Sequence, residues 1–188
     1  MTDINIIEIS PPQKLRREII AIMSDFANKY GVYRDVKRKN PHITLLDLSG
    51  EAYEYVTLLD KIKRSMKDVK PFKVCIDGVS SFDSLNKMMG PVKLRHNYVI
   101  YLRVIENPGL SSLHEKLIAN LGKGKAYYGK FVPHITLSHQ DLDKRGFDKS
   151  RREYRNFVFR HCFTVNGVYL YTQVEGSKPH IAYIRFGS

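Results

Sequence analysis

Pro41-His42-Ile43-Thr44-Leu45 recurs, residue for residue, as Pro133-His134-Ile135-Thr136-Leu137, one copy in each half of the chain. Repeated self-similarity is the first thing to look for in a sequence, because it reports how the chain is built. Each copy follows a basic or glycine-rich approach and a proline, and each runs into β-forming residues. In an extended strand side chains alternate between faces. His42 and Thr44 therefore point one way and Ile43 and Leu45 the other, and His134 and Thr136 repeat the rule. Ile and Leu anchor a strand in a core, leaving His and Thr on an open face. The proline, which cannot donate to a ladder, suits the strand's start. Two such strands side by side make a cleft with two imidazoles and two hydroxyls.

Outward from the motifs, strand and helix patterns alternate in both halves. Ile4–Ile9 reads as a strand. Gln13–Lys29 places Leu15, Ile19, Ile22, Met23 and Phe26 at helical spacing and stops at Gly31. Glu51–Met66 and Leu110–Leu121 read as further helices, and Asp141–Asn156 as a short one. Pro71–Phe82, bent at Gly78, and Tyr98–Ile105 read as strands. Phe157–Val165 and Gly167–Val174 are expected to pair through a tight connection, with His180–Phe186 as the last strand. No Pro/Ser-rich linker separates the halves. The expectation is a single bilobal α+β domain over residues 1–188, two sheet-bearing halves joined intimately.

The 188 residues carry 31 Lys and Arg against 19 Asp and Glu, a net charge of +12, with +4 in residues 1–94 and +8 in 95–188. At 43% hydrophobic the chain is too apolar for a disordered basic tail. It has no apolar run of about 18 residues, so no membrane helix is expected. With no secretory h-region at its start, a cytoplasmic protein is expected. Cys75 and Cys162 give no disulfide framework and no metal knuckle, and their apolar surroundings suggest inert packing. An excess of positive charge favours a polyanionic partner, nucleic acid being the commonest.

Two imidazoles with an ordinary pKa of about 6.5 can serve near neutrality as one base and one acid. Phosphodiester cleavage needs that pair, one to activate the attacking oxygen and one to protonate the leaving oxygen. Threonine hydroxyls can donate to the non-bridging phosphate oxygens. His-x-Thr is not a chelating spacing, and no HExxH or Cys/His cluster accompanies it, so neither a metal nor any other cofactor is expected.

The paired motifs resemble those of the two-histidine (2H) phosphoesterase superfamily, which includes 2′-5′ RNA ligase-like proteins and RNA 2′,3′-cyclic phosphodiesterases. The resemblance rests on Asn40–Gly50 and Phe131–Leu137 and extends, by element order and length, over essentially the whole chain. It implies two antiparallel-sheet lobes with flanking helices, related by a pseudo-two-fold about a central cleft. It also implies metal-independent hydrolysis of 2′,3′-cyclic phosphates or 2′-5′ linkages, with 2′-5′ ligation as the reverse reaction. By position His42 and His134 become the catalytic acid and base, and Thr44 and Thr136 the phosphate binders. The sequence does not assign the two roles; the reading leans to His42 as acid. Where several relatives carry basic residues after the motifs, this chain has Leu46-Asp47 and Ser138-His139-Gln140. Ser138 is expected at a solvated strand end on the face of His134.

Three further groups are candidates around the cleft. Tyr127, Tyr128 and Tyr33 precede the motifs and are placed to stack a base. Lys37-Arg38-Lys39 is placed to steer a phosphate chain or simply to be solvated. Arg151, Arg152 and Arg155 read as a basic surface face. The partner expected is an RNA end or a nucleotide, with no membrane and no obligate protein partner. Two rivals to the hydrolase reading are a non-catalytic RNA-binding module of the same fold and a hydrolase of a small non-RNA cyclic phosphate.

Overall fold

The computed structural model describes residues 4–31, 40–51, 53–86, 95–122, 131–138, 142–174 and 176–187. Eight strands and four helices form in the order β1 (Ile4–Ile9), α1 (Gln13–Tyr30), β2 (Ile43–Asp47), α2 (Tyr55–Met66), β3 (Phe72–Asn86), β4 (Arg95–Val104), α3 (Pro108–Leu121), β5 (His134–Ser138), α4 (Lys144–Glu153), β6 (Arg160–Val165), β7 (Gly167–Gln173) and β8 (His180–Arg185). They make two four-stranded antiparallel sheets, ordered β2-β1-β7-β8 and β5-β4-β3-β6. Each sheet begins at a motif strand, and β2 lies against β5. That contact joins the two lobes at the cleft.

The helices follow from local chemistry. In α1, Leu15, Ile19, Met23 and Phe26 are buried along one stripe, and Gly31, at φ +66°, closes the helix by donating to the Ala27 carbonyl. In α3, Asn107 caps the first turn, its side chain accepting from the Leu110 amide at 3.1 Å, with Pro108 at the first position. In α4, Asp143 caps likewise, accepting from the Gly146 amide. The helix α1 packs against β5, in the opposite lobe from the sheet of β1, and α3 packs against β2 and α2. Each lobe thus lends a helix to the other. No helix is long and apolar enough to cross a membrane among the described residues.

Phe26 is fully buried, with its ring 4.5 Å from that of Tyr30 and 5.4 Å from that of Tyr154. Tyr154 in turn donates to Asp25 at 2.8 Å, tying α1 to the end of α4. Phe26→Ala is expected to lower unfolding stability by about 3–5 kcal/mol, measured by urea denaturation, through reduced burial and the cavity left behind.

Three expectations need correction. First, β6 and β7 do not pair: β6 joins β3 in one sheet, while β7 runs between β1 and β8 in the other. Asn166 alone carries the chain from sheet to sheet, because Phe163 and Val165 of β6 lie opposite Val74 and Phe72 of β3. Second, Cys75 and Cys162 form a disulfide, being opposed in the β3–β6 register; Cys162 is exposed rather than packed in a core. Third, Ser138 is fully buried, not solvated. A register shift at Ile100/Tyr101 pairs Tyr101 with Thr136 but Ile100 with Ser138, which turns the serine inward. The bend at Gly78 is present, with φ +70° beside the register shift between Ile76 and Val79.

Candidate active site

The motif strands bury and expose the residues that alternation requires. Ile43 and Ile135 are fully buried, as is Leu137, and Leu45 is 2% exposed; Thr44, Thr136 and both histidines are partly open. The strand β2 starts at Ile43, so His42 stands at its mouth, while His134 is the first residue of β5.

Both rings are held in the same way. His42 Nδ1 lies 2.8 Å from the Asn40 carbonyl oxygen, and His134 Nδ1 lies 2.7 Å from that of Val132, in each case two residues back. A carbonyl oxygen only accepts, so Nδ1 carries the proton in both rings. Nε2 is thereby left to take a proton in the neutral ring or to give one in the charged ring. The repeated five residues produce a repeated tautomer.

The surroundings of the two rings differ. His42 faces Glu8, whose Oε2 is 3.5 Å from Nδ1. Glu8 stands opposite Thr44 in the β1–β2 register and is only 8% exposed. Burial pushes its carboxyl above the ordinary 4.5, with the attraction of His42 and a hydrogen bond from Asn40 opposing that rise. Asn40 is the hinge of this cluster. Its amide nitrogen donates to Ser10 Oγ at 3.0 Å and to Glu8 Oε1 at 3.4 Å, and its Oδ1 accepts from Arg16 at 3.1 Å.

Aromatic rings surround His134 where a carboxylate faces His42. Its imidazole stands edge-on to Phe82 and tilted to Tyr101, each at 5.1 Å between centroids, and those two rings stack on each other at 4.3 Å. Burial lowers the His134 pKa below 6.5; the Val132 carbonyl opposes this and the charge of His42 adds to it.

Glu8, Phe82 and Tyr101 are absent from the residues that the sequence singles out, and Asn40 enters there only as the first residue of the motif stretch. A glutamate within the apolar alternation of Ile4–Ile9, and the place of Asn40 at the head of the motif stretch, are the signals that pointed to any of them. Tyr33, Tyr127, Tyr128, Lys37-Arg38-Lys39 and His139 lie outside the described residues. Other histidines have structural roles: His114 bonds the Leu45 carbonyl and stacks on Phe131, and His161 meets Glu18 at 3.2 Å. Among the described residues no three His, Cys, Asp or Glu side chains gather as a metal site would require.

A model of the 2′-5′ RNA ligase superfamily matches residues 11–177, which include both motifs. The chain belongs to that superfamily. That places it in the two-histidine phosphoesterase superfamily, whose two-lobed α+β fold it has. It is 29% identical over 134 residues to a Geobacillus kaustophilus protein that bears a phosphoesterase name; the match covers 70% of this chain and 66%, just under two thirds, of that one. Among solved structures, TT0787 of Thermus thermophilus superposes with a TM-score of 0.63 at 19% identity, covering 97% of this chain and 95% of that one. Escherichia coli LigT complexed with 3′-AMP gives 0.60 at 17% identity, again covering 97% and 95%. At such identities these two likenesses concern the fold, with its two lobes and shared cleft.

Proposed function

We propose that the chain is a metal-independent phosphodiesterase that opens 2′,3′-cyclic phosphates or cleaves 2′-5′ linkages of RNA ends or nucleotides by two-histidine acid–base catalysis. It acts as one bilobal domain, each half contributing a motif. The observation that carries this reading is the pair of imidazoles on adjoining strands, with Nδ1 tied to a carbonyl in both and Nε2 left for proton transfer.

The differing surroundings support one assignment of the roles. His134, disfavoured as a cation by burial, is the base; His42, facing the Glu8 carboxylate, is the acid. His134 Nε2 takes a proton from water as the water oxygen bonds to phosphorus. The bond from phosphorus to the 2′- or 3′-oxygen breaks, and His42 Nε2 gives that oxygen its proton. Thr44 and Thr136 donate to the non-bridging oxygens, whose charge is largest in the transition state. The two protons then re-equilibrate with solvent. With a 5′-hydroxyl in place of water the same steps join two ends through a 2′-5′ bond. That LigT is found complexed with 3′-AMP supports a nucleotide-sized substrate for this fold.

The test is hydrolysis of a 2′,3′-cyclic nucleotide and of an RNA ending in a 2′,3′-cyclic phosphate, in excess EDTA. Turnover that persists supports the reading, and turnover that needs an added divalent cation contradicts it. The pH profile gives a second check. A base must be neutral, and the His134 pKa is lowered, so the acidic limb of kcat/KM is expected below about pH 6.5, the ordinary histidine value.

A further inference from the structure

One row of side chains crosses the second sheet from strand to strand and begins at His134. His134 of β5 stands opposite Arg103 of β4, and Asp77 of β3 stands opposite Arg160 of β6. The register shift between Ile76 and Val79 sets Asp77 beside Arg103, which joins the two pairs. Directly opposed residues share a face of a sheet, so all four lie on the face of His134. The buried Val74, Ile76, Leu102 and Val104 take the other face. Asp77 draws the two guanidinium groups together. Arg103 donates from Nε to its carbonyl and from Nη2 to its carboxylate, each at 2.9 Å. Arg160 donates from Nε to the other carboxylate oxygen, also at 2.9 Å.

Exposed ion pairs contribute little to stability, so a structural role does not exhaust this cluster. The bulge accounts for Arg103, whose Nε takes up a carbonyl there. It does not account for Arg160, which is 76% exposed on the edge strand. The Arg160 bond and the charges of both arginines hold the Asp77 carboxyl below its ordinary 3.8. Near neutrality two guanidinium charges therefore face one carboxylate. Their bonds to Asp77 use part of each guanidinium fork, and the remaining N–H donors suit phosphoryl oxygens. The Cys75–Cys162 disulfide ties β3 to β6 two residues further on, which holds the strand carrying Arg160 in place. Two strand spacings, about 10 Å, separate β5 from β3, where the guanidinium groups meet. A nucleotide held by its 3′-phosphate at the histidines spans that distance with a phosphate on its 5′-oxygen.

We propose that Arg103 and Arg160, braced by Asp77, form a second anion subsite for a phosphate on the 5′-oxygen of the nucleotide whose reacting phosphate lies between His42 and His134. The proposal rests on the phosphodiesterase reading and adds a discrimination to it. A 5′-phosphorylated nucleotide is held at both ends, and one with a free 5′-hydroxyl at one end. The 5′-phosphate is either a terminal monoester or the diester that links the next nucleotide, and both offer the same non-bridging oxygens.

Titration calorimetry with 3′-AMP, adenosine 3′,5′-bisphosphate and a diadenylate ending in a 3′-phosphate tests this. At low salt, wild type is expected to bind the bisphosphate, the dinucleotide or both about tenfold more tightly than 3′-AMP. The ligand that gains more identifies the source of the 5′-phosphate. R103Q/R160Q should cut that gain to below about twofold. R160Q alone leaves Arg103 on the bulge and should cut it to about threefold, which decides the matter where the double variant does not fold. R103K/R160K keeps the charge without the planar fork and should retain more of the gain than the glutamine pair. R152Q/R155Q removes the same charge from α4, which packs on the opposite face of the sheet through Phe147 and Tyr98, and should leave the gain intact. No gain in wild type overturns the proposal, as does a gain that survives in R103Q/R160Q and in R160Q. A gain that R152Q/R155Q reduces equally overturns it too, because net charge then accounts for the effect. If wild type hydrolyses no 2′,3′-cyclic phosphate, the phosphodiesterase reading fails, and these affinities, which need no turnover, still decide the subsite.

Discussion

His134→Ala is expected to lower kcat on a 2′,3′-cyclic phosphate by about 10²–10⁴, and His42→Ala by a similar factor. The size follows from what each ring does: without the base, water attacks as a neutral nucleophile, and without the acid, an alkoxide must leave unprotonated. Because the two proton transfers serve one displacement, the double variant should be about as slow as the slower single one. The variants differ in stability in a way that checks the packing. His134 rests against Phe82 and Tyr101, so its removal leaves a hole between aromatic rings, whereas His42 is 37% exposed and its loss disturbs little. Thermal melts should therefore show the larger drop for His134→Ala. Full activity in either single variant contradicts the assignment.

Glu8→Gln is expected to reduce turnover and raise stability together. Glutamine keeps an oxygen for Asn40 but loses the charge that faces His42 Nδ1 at 3.5 Å. The proton donor then lacks the carboxylate beside its Nδ1, and a fall in kcat/KM on the order of tenfold, about 1.4 kcal/mol, is anticipated at neutral pH. Stability moves the other way because burial outweighs the attraction of His42 and raises the Glu8 carboxyl above 4.5. A carboxyl whose pKa is raised by folding contributes its full stability below the unfolded value and loses it as pH rises through the folded one. Near neutrality the wild type carries that loss and the glutamine variant does not. The Tm of Glu8→Gln should exceed wild type at about pH 7, with the difference shrinking below about pH 4.5. A lower Tm at pH 7 with unchanged kcat/KM means that Glu8 is a structural residue only.

The motif faces were legible because alternation is local: Ile43, Leu45, Ile135 and Leu137 are buried, with His and Thr beside them left partly open. So were α1, from its stripe and closing glycine, and the bend at Gly78. The partners that distinguish the two histidines were not. Glu8 meets His42 through the β1–β2 register, which shifts between Ile7 and Glu8, and nothing in either strand's own pattern fixes that shift. Phe82 and Tyr101 reach His134 from two other strands of its sheet. The β6–β7 reading failed for a related reason. Strands so close in sequence commonly pair as a hairpin, but here each finds its apolar partner in a different sheet. Cys75 and Cys162 look unrelated until the β3–β6 register sets them opposite each other. In each case the information lies in non-local pairing, and the chemistry that depends on it comes into view with the fold.

The central claim is that the two repeats form one reaction centre, and a crystal structure with orthovanadate, a mimic of five-coordinate phosphorus, tests it most directly. One vanadate should lie between the motifs, with Nε2 of His42 and Nε2 of His134 each within about 3 Å of its oxygens, on opposite sides, and with the Thr44 and Thr136 hydroxyls on the remaining oxygens. Vanadate held by one histidine alone, or bound away from both motifs, contradicts the claim.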